Sequence, residues 1–287
     1  MFLLYFKGFN SLHCNPSTKG PIKKRGIDFH KGDRIVKKGC RIRPVDIGIC
    51  AALGVSSVKV FPAPRISIIS TGDELFDPSC ERKSVYASRD SNSYLLAAQS
   101  AECGCPASYF GIVSDDKEKL EEIIVKGLCN DVLLISGGMS KGNKDFVLDV
   151  LSSLGADIKF WWVKIKPGRP FAFATLNKTL IFCLPGTPCS AFVVFEKFIR
   201  PALFMMMGHV NLDRRRASCV LSENVFTNDG RTHFFRVVVN SSNEVSLAKG
   251  QMPVLLNSLI NCDGILTVPE DCAGYLAGDN CFVEMFE

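Results

Sequence analysis

ISIISTGDEL, residues 66–75, joins a run of apolar residues to a cluster of polar ones. The run from Ile66 to Ser70 predicts a short strand that is buried on both faces, and Thr71-Gly72 ends it. Strands of this kind are typical of parallel sheets that are covered by helices. The segment therefore predicts an α/β domain in which residues 71–75 leave the sheet at the carboxyl end of a strand.

The alternation of buried strands and amphipathic helices continues to residue 208. Further strands are predicted at 108–113, 132–135 and 180–184, and helices at 91–103, 117–128, 145–154 and 190–207. In the first of these helices we expect one shared face, formed by Tyr94, Leu95, Ala98 and Ala101. The order of elements indicates a three-layer α/β domain with a parallel sheet and right-handed crossovers over residues 62–208.

Two other regions flank this domain. Residues 209–287 contain short strands and the turns Asn228-Asp229-Gly230 and Asp263-Gly264, which predict a small all-β domain. Residues 21–61 predict short strands and a helix that Pro44 opens at its first position. This region is too short to be a domain by itself, so we interpret it as the remnant of a further domain. Residues 1–20 have no periodic pattern and are assigned to no domain.

The composition excludes several classes of protein. The chain has 287 residues, 47% hydrophobic and 22% charged, and no apolar run approaches the roughly 20 residues of a membrane helix. Residues 1–59 contain 12 basic and 3 acidic residues, but the basic ones alternate with Ile, Val and Gly, so we expect no nucleic-acid partner. The 13 cysteines are scattered and lack zinc spacing, which indicates a reduced, cytoplasmic protein.

Polar loops that contain glycine follow three of the predicted strands. They are residues 70–74 (STGDE), 136–142 (SGGMSKG) and 184–188 (LPGTP). Glycines between a strand and a helix allow backbone amides to approach an anion closely, and the helix N-terminus adds its dipole. Each loop alone is equally well explained as a tight turn. Because all three belong to one sheet edge, we predict a phosphate-binding site there.

Charged side chains lie beside these loops in the sequence. The carboxylates are Asp73, Glu74, Asp90 and Asp145. Carboxylates near a phosphate repel it unless a cation such as Mg²⁺ lies between them. Taken singly, Asp90 and Asp145 are better explained as helix N-caps. The cations of the segment 164–170 are Lys164, Lys166 and Arg169. They could hold an oxyanion, although such a triplet alone is more often a solvated surface.

Six motifs together resemble the molybdopterin molybdenumtransferase family, and within it the gephyrin E-domain most closely. They are STGDEL at 70–75, RDSN at 89–92, GIVSDD at 111–116, SGGMSKGNKD at 136–145, KPGRP at 166–170 and LPGTPCSA at 184–191. The resemblance extends from about residue 21 to the C-terminus. It implies a step of molybdenum cofactor biosynthesis in which molybdate is inserted into adenylylated molybdopterin, and AMP is released with the help of Mg²⁺ or another divalent ion.

The resemblance also implies roles for individual residues. Glu74, Asp90, Asp145 and Lys166 would be catalytic, with Asp90 and Asp145 holding the metal and Lys166 facing the oxyanions. The residues expected to contact the pterin substrate are Thr71, Gly72, Asp73, Ser91, Ser136, Gly137, Gly138, Ser140, Lys164, Gly168, Arg169, Pro185, Gly186, Pro188 and Ser190. A metal and a lysine would suffice because cleavage of a phosphoanhydride depends mainly on positioning and charge neutralisation.

The chain departs from the family pattern at several positions. Thr187 replaces the Asn of LPGNP, Trp162 stands where the family commonly has a cation, and Pro253-Val254 replaces a pair of serines. The family's N-terminal half, which completes the site from the partner subunit of a homodimer, has no counterpart in this sequence. We therefore expect weak or no turnover from this chain alone.

Two alternatives stay open. Animal members of the family also hold receptor tails at the cell cortex, so the chain could be a truncated, inactive binding module with a receptor-tail or cytoskeletal partner. A molybdopterin adenylyltransferase shares the sheet and the SGG loop, but the later KPG and LPG motifs and the β-domain argue against it. Four charged residues that converge at strand ends favour an enzyme over a scaffold.

Overall fold

The computed structural model describes residues 26–81, 84–139 and 146–286. Within these ranges the chain divides into two compact units. The smaller consists of residues 26–38 and Ile42–Ser57, and the larger of Gly39–Arg41 and residues 58–286. No helix in the described ranges is long and apolar enough to cross a membrane.

The smaller unit contains one helix, α1 (Pro44–Ala52). Pro44 stands in its first turn, as predicted, and the carboxylate of Asp46 accepts a hydrogen bond from the Arg43 N–H at 2.8 Å. The prediction of short strands between residues 22 and 60 is wrong for the part that is described, where no strand precedes residue 66. A strand forms only where a neighbouring strand can accept and donate its backbone hydrogen bonds, and these residues have no such neighbour in the described part of the chain.

The α/β part of the larger unit has nine strands and five helices in the described ranges. The strands are β1 (Ile66–Thr71), β2 (Leu75–Phe76), β3 (Ser88–Arg89), β4 (Ala107–Val113), β5 (Val132–Ser136), β6 (Asp157–Trp161), β7 (Ile165–Lys166), β8 (Ala172–Leu176) and β9 (Thr179–Leu184). The helices are α2 (Asn92–Glu102), α3 (Lys117–Gly127), α4 (Val147–Ser153), α5 (Pro188–Val194) and α6 (Arg200–Met206). A π-helical turn (Phe195–Ile199) joins the last two.

Six of these strands form one sheet in the order β4-β1-β5-β9-β8-β6. The first four strands are parallel, as predicted, whereas β8 pairs antiparallel with β9, and β6 pairs antiparallel with β8. β1 is buried along its whole length: Ile66 and Ile68 pack on the side of α2 and α5, and Ile69 on the side of α3 and α4. The three-layer α/β class is confirmed, and the carboxyl ends of β1, β5 and β9 lie at one sheet edge.

The residues expected to share one face of α2 mostly do so, but that face is turned to solvent. Tyr94 is 56% exposed, and Ala98 and Ala101 are also exposed. The helix instead buries Leu96 among four polar residues, which are Asn92, Ser93, Gln99 and Ser100. These polar groups can be buried because most of them have partners; for example, Gln99 Nε2 donates to the carboxylate of Glu196 at 2.9 Å. In this helix the periodic apolar residues therefore mark the face that is exposed to solvent.

The long helix predicted for residues 190–207 contains an irregular turn. The N–H of Arg200 donates to the carbonyl of Phe195, five residues earlier, rather than four. Pro201 follows directly, and a proline has no N–H to give to the carbonyl four residues before it. A single π-helical turn is a common way for a helix to accommodate such a break, so the segment continues as one helical rod.

The C-terminal part is a β-barrel, in agreement with the predicted β-domain. Its strands are β10 (Arg216–Leu221), β11 (Val225–Phe226), β12 (Thr232–Val239), β13 (Glu244–Leu247), β14 (Gly264–Val268), β15 (Gly274–Tyr275) and β16 (Asn280–Met285). The order β13-β10-β16-β14-β12 closes on itself because β12 also pairs with β13. Closure removes free sheet edges. β7 from the α/β part pairs with β12 in parallel. Ile165 and Lys166, the first residue of the KPGRP motif, therefore belong to the barrel sheet.

Candidate functional site

A cleft of about 860 Å³ lies at the carboxyl ends of β1, β5 and β9. This is the position at which open α/β sheets bind ligands. Its lining residues are Thr71, Gly72, Glu74, Leu75, Ser88, Arg89, Asp90, Ser91, Asn92, Asp115, Ser136, Gly137, Gly138, Met139, Pro170, Pro185, Gly186, Thr187, Pro188 and Val254. The cleft thus combines the three predicted loops with one residue of the loop that precedes the 3₁₀ turn Leu256–Leu259 of the C-terminal part.

Close packing between loops explains two of the glycines. Gly137 has φ +98°, and a Cβ there would lie 2.3 Å from the carbonyl oxygen of Thr71. Gly72 has φ +150°, and a Cβ there would lie 2.7 Å from the carboxylate of Glu74. At Gly137 only glycine fits both the backbone angle and the space left by the Thr71 backbone, whereas at Gly72 the backbone angle alone favours glycine, because the Glu74 side chain can move. The loops after β1 and β5 therefore approach each other closely enough to form one continuous wall.

Asn92 connects three of the cleft segments. Its Nδ2 donates to Ser136 Oγ at 2.8 Å and to the carbonyl oxygen of Gly186 at 3.0 Å, while its backbone belongs to the first turn of α2. The side chain is buried, so its amide holds the loops after β5 and β9 against the start of α2. Asn92 belongs to the motif RDSN, but no role was predicted for it. The feature of the sequence that could have indicated its role is its position, since it is a polar residue at the start of a predicted helix.

Asp90 is both a helix cap and a cleft residue. It is 2% exposed; Oδ1 accepts from the Ser93 N–H at 3.1 Å and Oδ2 accepts from the Tyr109 hydroxyl at 2.8 Å. Burial, together with the bond to Asp90, raises the pKa of Tyr109, so the phenol keeps its proton and continues to donate. The capping interpretation and the site interpretation therefore describe the same carboxylate.

Asp115 is a cleft residue that was not among the predicted site residues, although it belongs to the motif GIVSDD. The neighbouring Asp116 is the cap of α3, since its carboxylate accepts from the Lys119 N–H at 3.0 Å. Asp115 Oδ1 instead accepts from the Thr71 hydroxyl at 3.1 Å at the end of β1. One carboxylate is enough to cap the helix, and this leaves the other to face the cleft.

Arg89 is the only cation among the described residues that line the cleft. Its guanidinium lies 5.3 Å from the centre of the Phe76 ring, a distance typical of a cation–π contact. Arg89 was not among the predicted site residues. Beside it, Glu74, Asp90 and Asp115 contribute three carboxylates, so the charge of the described lining is negative overall.

Several of the predicted residues are not part of the described lining. Ser140 and Asp145 lie outside the described residues. The predicted residues that are described but do not line the cleft are Asp73, Lys164, Lys166, Gly168, Arg169 and Ser190. The segment after β7 reaches the cleft through Pro170 instead.

The three predicted cations have other partners. Lys166 Nζ lies 3.5 Å from Asp229 Oδ2, Lys164 Nζ lies 3.9 Å from Glu270 Oε2, and the guanidinium of Arg169 stacks 4.5 Å from the Trp162 ring. Two of these partners belong to the C-terminal part, because β7 joins its sheet.

Metal-binding side chains do not form a cluster of three within the described ranges. Asp90 nevertheless suits a hard divalent ion chemically, because each carboxylate oxygen keeps a lone pair after accepting one hydrogen bond. Its predicted companion, Asp145, lies outside these ranges.

Comparison with protein families assigns both parts of the larger unit. Residues 67–204 match the family described as "Probable molybdopterin binding domain", and residues 218–286 match "MoeA C-terminal region (domain IV)". The first match contains the sheet and the three cleft loops. The second contains the barrel.

Curated relatives and a solved structure agree with this assignment. A putative molybdopterin biosynthesis protein of Methanocaldococcus jannaschii is 34% identical over 94% of this chain and 66% of its own length. A molybdopterin molybdenumtransferase of Bacillus subtilis is 31% identical over 95% of this chain and 64% of its own length. The crystal structure of a MoeA molybdopterin biosynthesis protein from Pyrococcus horikoshii superposes with a TM-score of 0.81 at 30% identity, covering 92% of this chain and 65% of that one.

The chain thus spans about two thirds of the length of the relatives it matches. Both family matches occur in the expected order, and the similarity to the solved structure includes the sheet, the cleft and the barrel together. From its sequence motifs, its two matched regions and its fold, the chain belongs to the MoeA family of molybdopterin biosynthesis proteins, which includes the gephyrin E-domain.

Proposed function

We propose that this chain acts in molybdenum cofactor biosynthesis, at the step that inserts molybdate into adenylylated molybdopterin and releases AMP. The observation that carries the proposal is the cleft itself. It is large enough for a nucleotide-sized ligand, it is walled by three strand-end loops, and Asp90, Asp115, Glu74 and Arg89 line it. Relatives named molybdopterin molybdenumtransferase support the reaction class.

The charges of the cleft fit the cleavage of a phosphoanhydride with a divalent ion. Three carboxylates and a phosphate group repel one another, and an ion such as Mg²⁺ would neutralise that charge when bound. We assign its protein ligands to Asp90 and Asp145. Arg89 supplies a fixed cation for the phosphates, and Asn92 keeps the loops after β5 and β9 at a constant separation. Lys166 is assigned to the oxyanion of the incoming molybdate.

A cytoplasmic location and a homodimer belong to this proposal, following the family pattern. The alternative is a binding module of the same fold without turnover, with a receptor-tail or cytoskeletal partner. A molybdopterin adenylyltransferase is less well supported, because residues 218–286 match the MoeA C-terminal region.

The test measures binding and chemistry separately on the full chain. Calorimetric titration with adenylylated molybdopterin should give metal-dependent binding, and AMP release on addition of molybdate should follow, even if slowly. Asp145→Asn should preserve folding and lower AMP release by a factor on the order of 10², as expected for the loss of a group that positions charge.

Asp149→Asn is the matched control, because Asp149 lies on the exposed side of α4 in an ion pair with Lys117. It should leave both measurements unchanged. Binding without any AMP release would favour the binding module. Absence of adenylylated molybdopterin binding would contradict the proposal.

A further inference from the structure

Three cationic or hydrogen-bond-donating side chains converge on one carboxylate in the C-terminal part. Asp229 Oδ1 lies 2.7 Å from His233 Nε2. Asp229 Oδ2 accepts a hydrogen bond from the Arg231 guanidinium and lies 3.5 Å from Lys166 Nζ. Both oxygens of Asp229 are therefore engaged, and one of the partners is the lysine assigned to the oxyanion.

The backbone explains why these groups meet. Asp229 belongs to the turn before β12, and Arg231 and His233 follow it directly in the chain. The parallel pairing of β7 with β12 places Lys166 opposite His233. The strand pairing fixes His233 beside Lys166, and the contact between Asp229 and His233 holds the turn close to that lysine.

The cluster holds its carboxylate in the charged form. The hydrogen bonds from Arg231 and His233 lower the pKa of Asp229. The side chain of Asp229 is 27% exposed and those of Arg231 and Lys166 are 25% and 50% exposed, so solvent and small ions reach the group. A carboxylate and a tetrahedral oxyanion are both acceptors for lysine and arginine, so they compete for the same donors.

We propose that Asp229 is an internal counter-ion that competes with the oxyanion substrate for Lys166 and Arg231. Entry of a tetrahedral dianion requires Lys166 to exchange Asp229 for the ligand. Asp229 thereby lowers the affinity of the site for any oxyanion that needs Lys166 and Arg231 as donors. This inference rests on the assignment of Lys166 made under the proposed function.

The test compares two variants, each of which loses one negative charge. The first charge is the partner of Lys166, and the second is the partner of Lys164. Asp229→Asn removes the counter-ion of Lys166, and Glu270→Gln removes the 3.9 Å partner of Lys164 at an equal cost in net charge. Equilibrium binding of molybdate and, separately, of inorganic phosphate is measured calorimetrically for the full chain and both variants. Asp229→Ser serves as a second variant, and thermal unfolding verifies that each protein is folded.

We expect Asp229→Asn and Asp229→Ser to bind molybdate on the order of tenfold more tightly than the unchanged chain, the effect of about 1.4 kcal/mol of lost competition. Glu270→Gln should change the affinity by less than about twofold, as for an exposed ion pair. Unchanged or weaker binding in both Asp229 variants, or an equal gain in Glu270→Gln, would overturn the inference.

The two oxyanions separate this inference from the proposed function. If molybdate binds and the Asp229 variants do not tighten it, the inference fails while the function stands. If the variants gain affinity for phosphate while molybdate binds to none of the chains, the counter-ion role holds and the molybdate step fails. If neither oxyanion binds to any of the chains, the counter-ion role is overturned as well.

Discussion

Asp90 illustrates at the scale of one residue how a structural and a functional role can share a carboxylate. Its Oδ1 satisfies a backbone N–H at the start of α2, and its Oδ2 accepts from the Tyr109 hydroxyl. The cap fixes the side chain in one orientation, so the lone pairs that are not engaged keep a constant direction in the cleft.

This arrangement predicts different results for two nearly isosteric variants. Asp90→Asn keeps an oxygen for the Ser93 N–H, so the free energy of unfolding should fall by only about 1 kcal/mol. Metal-dependent binding of adenylylated molybdopterin should weaken at least about tenfold, because the charge is lost. Tyr109→Phe removes the hydroxyl but keeps the carboxylate, and binding should stay within about twofold. Urea unfolding and calorimetry measure both quantities, and unchanged binding in Asp90→Asn would reduce Asp90 to a cap.

At the scale of elements, the loop before Leu256–Leu259 depends on a buried arginine. Arg236 on β12 is 1% exposed, and no carboxylate pairs with it in the described part of the chain. Its Nε donates to Ser258 Oγ at 3.1 Å and its Nη2 to the Gly250 carbonyl oxygen at 3.4 Å. The carbonyl oxygen of Pro253 in this loop accepts from the Cys189 N–H at the start of α5. The arginine thus helps to hold Val254 in the cleft wall.

Arg236→Met should therefore loosen this loop rather than the whole barrel. The carbonyl of Gly250 loses its Arg236 donor, which costs about 1–3 kcal/mol if it is left unsatisfied, whereas the Ser258 hydroxyl keeps its bond to the Leu255 carbonyl. Amide hydrogen exchange should become faster at residues 250–258 and at Cys189. Arg216→Met is the control, since the Arg216 side chain is 58% exposed and its partner Glu284 is bound at 3.4 Å. Equal exchange in the two variants would show that Arg236 does not organise the loop.

At the scale of the whole molecule, the two compact units predict that the larger one folds alone. A chain of residues 58–287 keeps the complete sheet, both helix layers and the closed barrel. Its thermal midpoint should lie within a few degrees of that of the full chain, corresponding to less than about 1 kcal/mol. It should also associate less, because Val45 and Ile47 of α1 are 54% and 61% exposed.

A shorter chain of residues 58–215, compared with the chain of residues 58–287, tests how much the barrel stabilises the α/β part. It lacks β12, with which β7 pairs, and it exposes the groups that the barrel covers. We expect a broad thermal transition and loss of cooperativity for this chain, measured by circular dichroism. A cooperative transition at the midpoint of the longer fragment would show that the barrel contributes nothing to the α/β part.

The sequence alone was sufficient for the α/β class, for the β-domain and for the three loops at one sheet edge. These features depend on local periods of two and 3.6 residues and on glycine-rich strand ends, which are readable along the chain. The motifs also indicated the family, and the comparisons confirmed it. The short strands before residue 60 were predicted wrongly, and the local pattern did not show which face of α2 is buried, because both depend on partners elsewhere in the chain.

Only the tertiary structure decided which charges face the cleft. Asp115 reaches it because Asp116 already caps α3, and Arg89 reaches it from β3, whereas Lys166 is held by Asp229 through the pairing of β7 with β12. The contacts of Asp115 with Thr71 and of Lys166 with Asp229 join residues that lie tens of positions apart in the chain. Their geometry follows from how the sheet, the helices and the barrel pack, and no local pattern of residue types determines that packing.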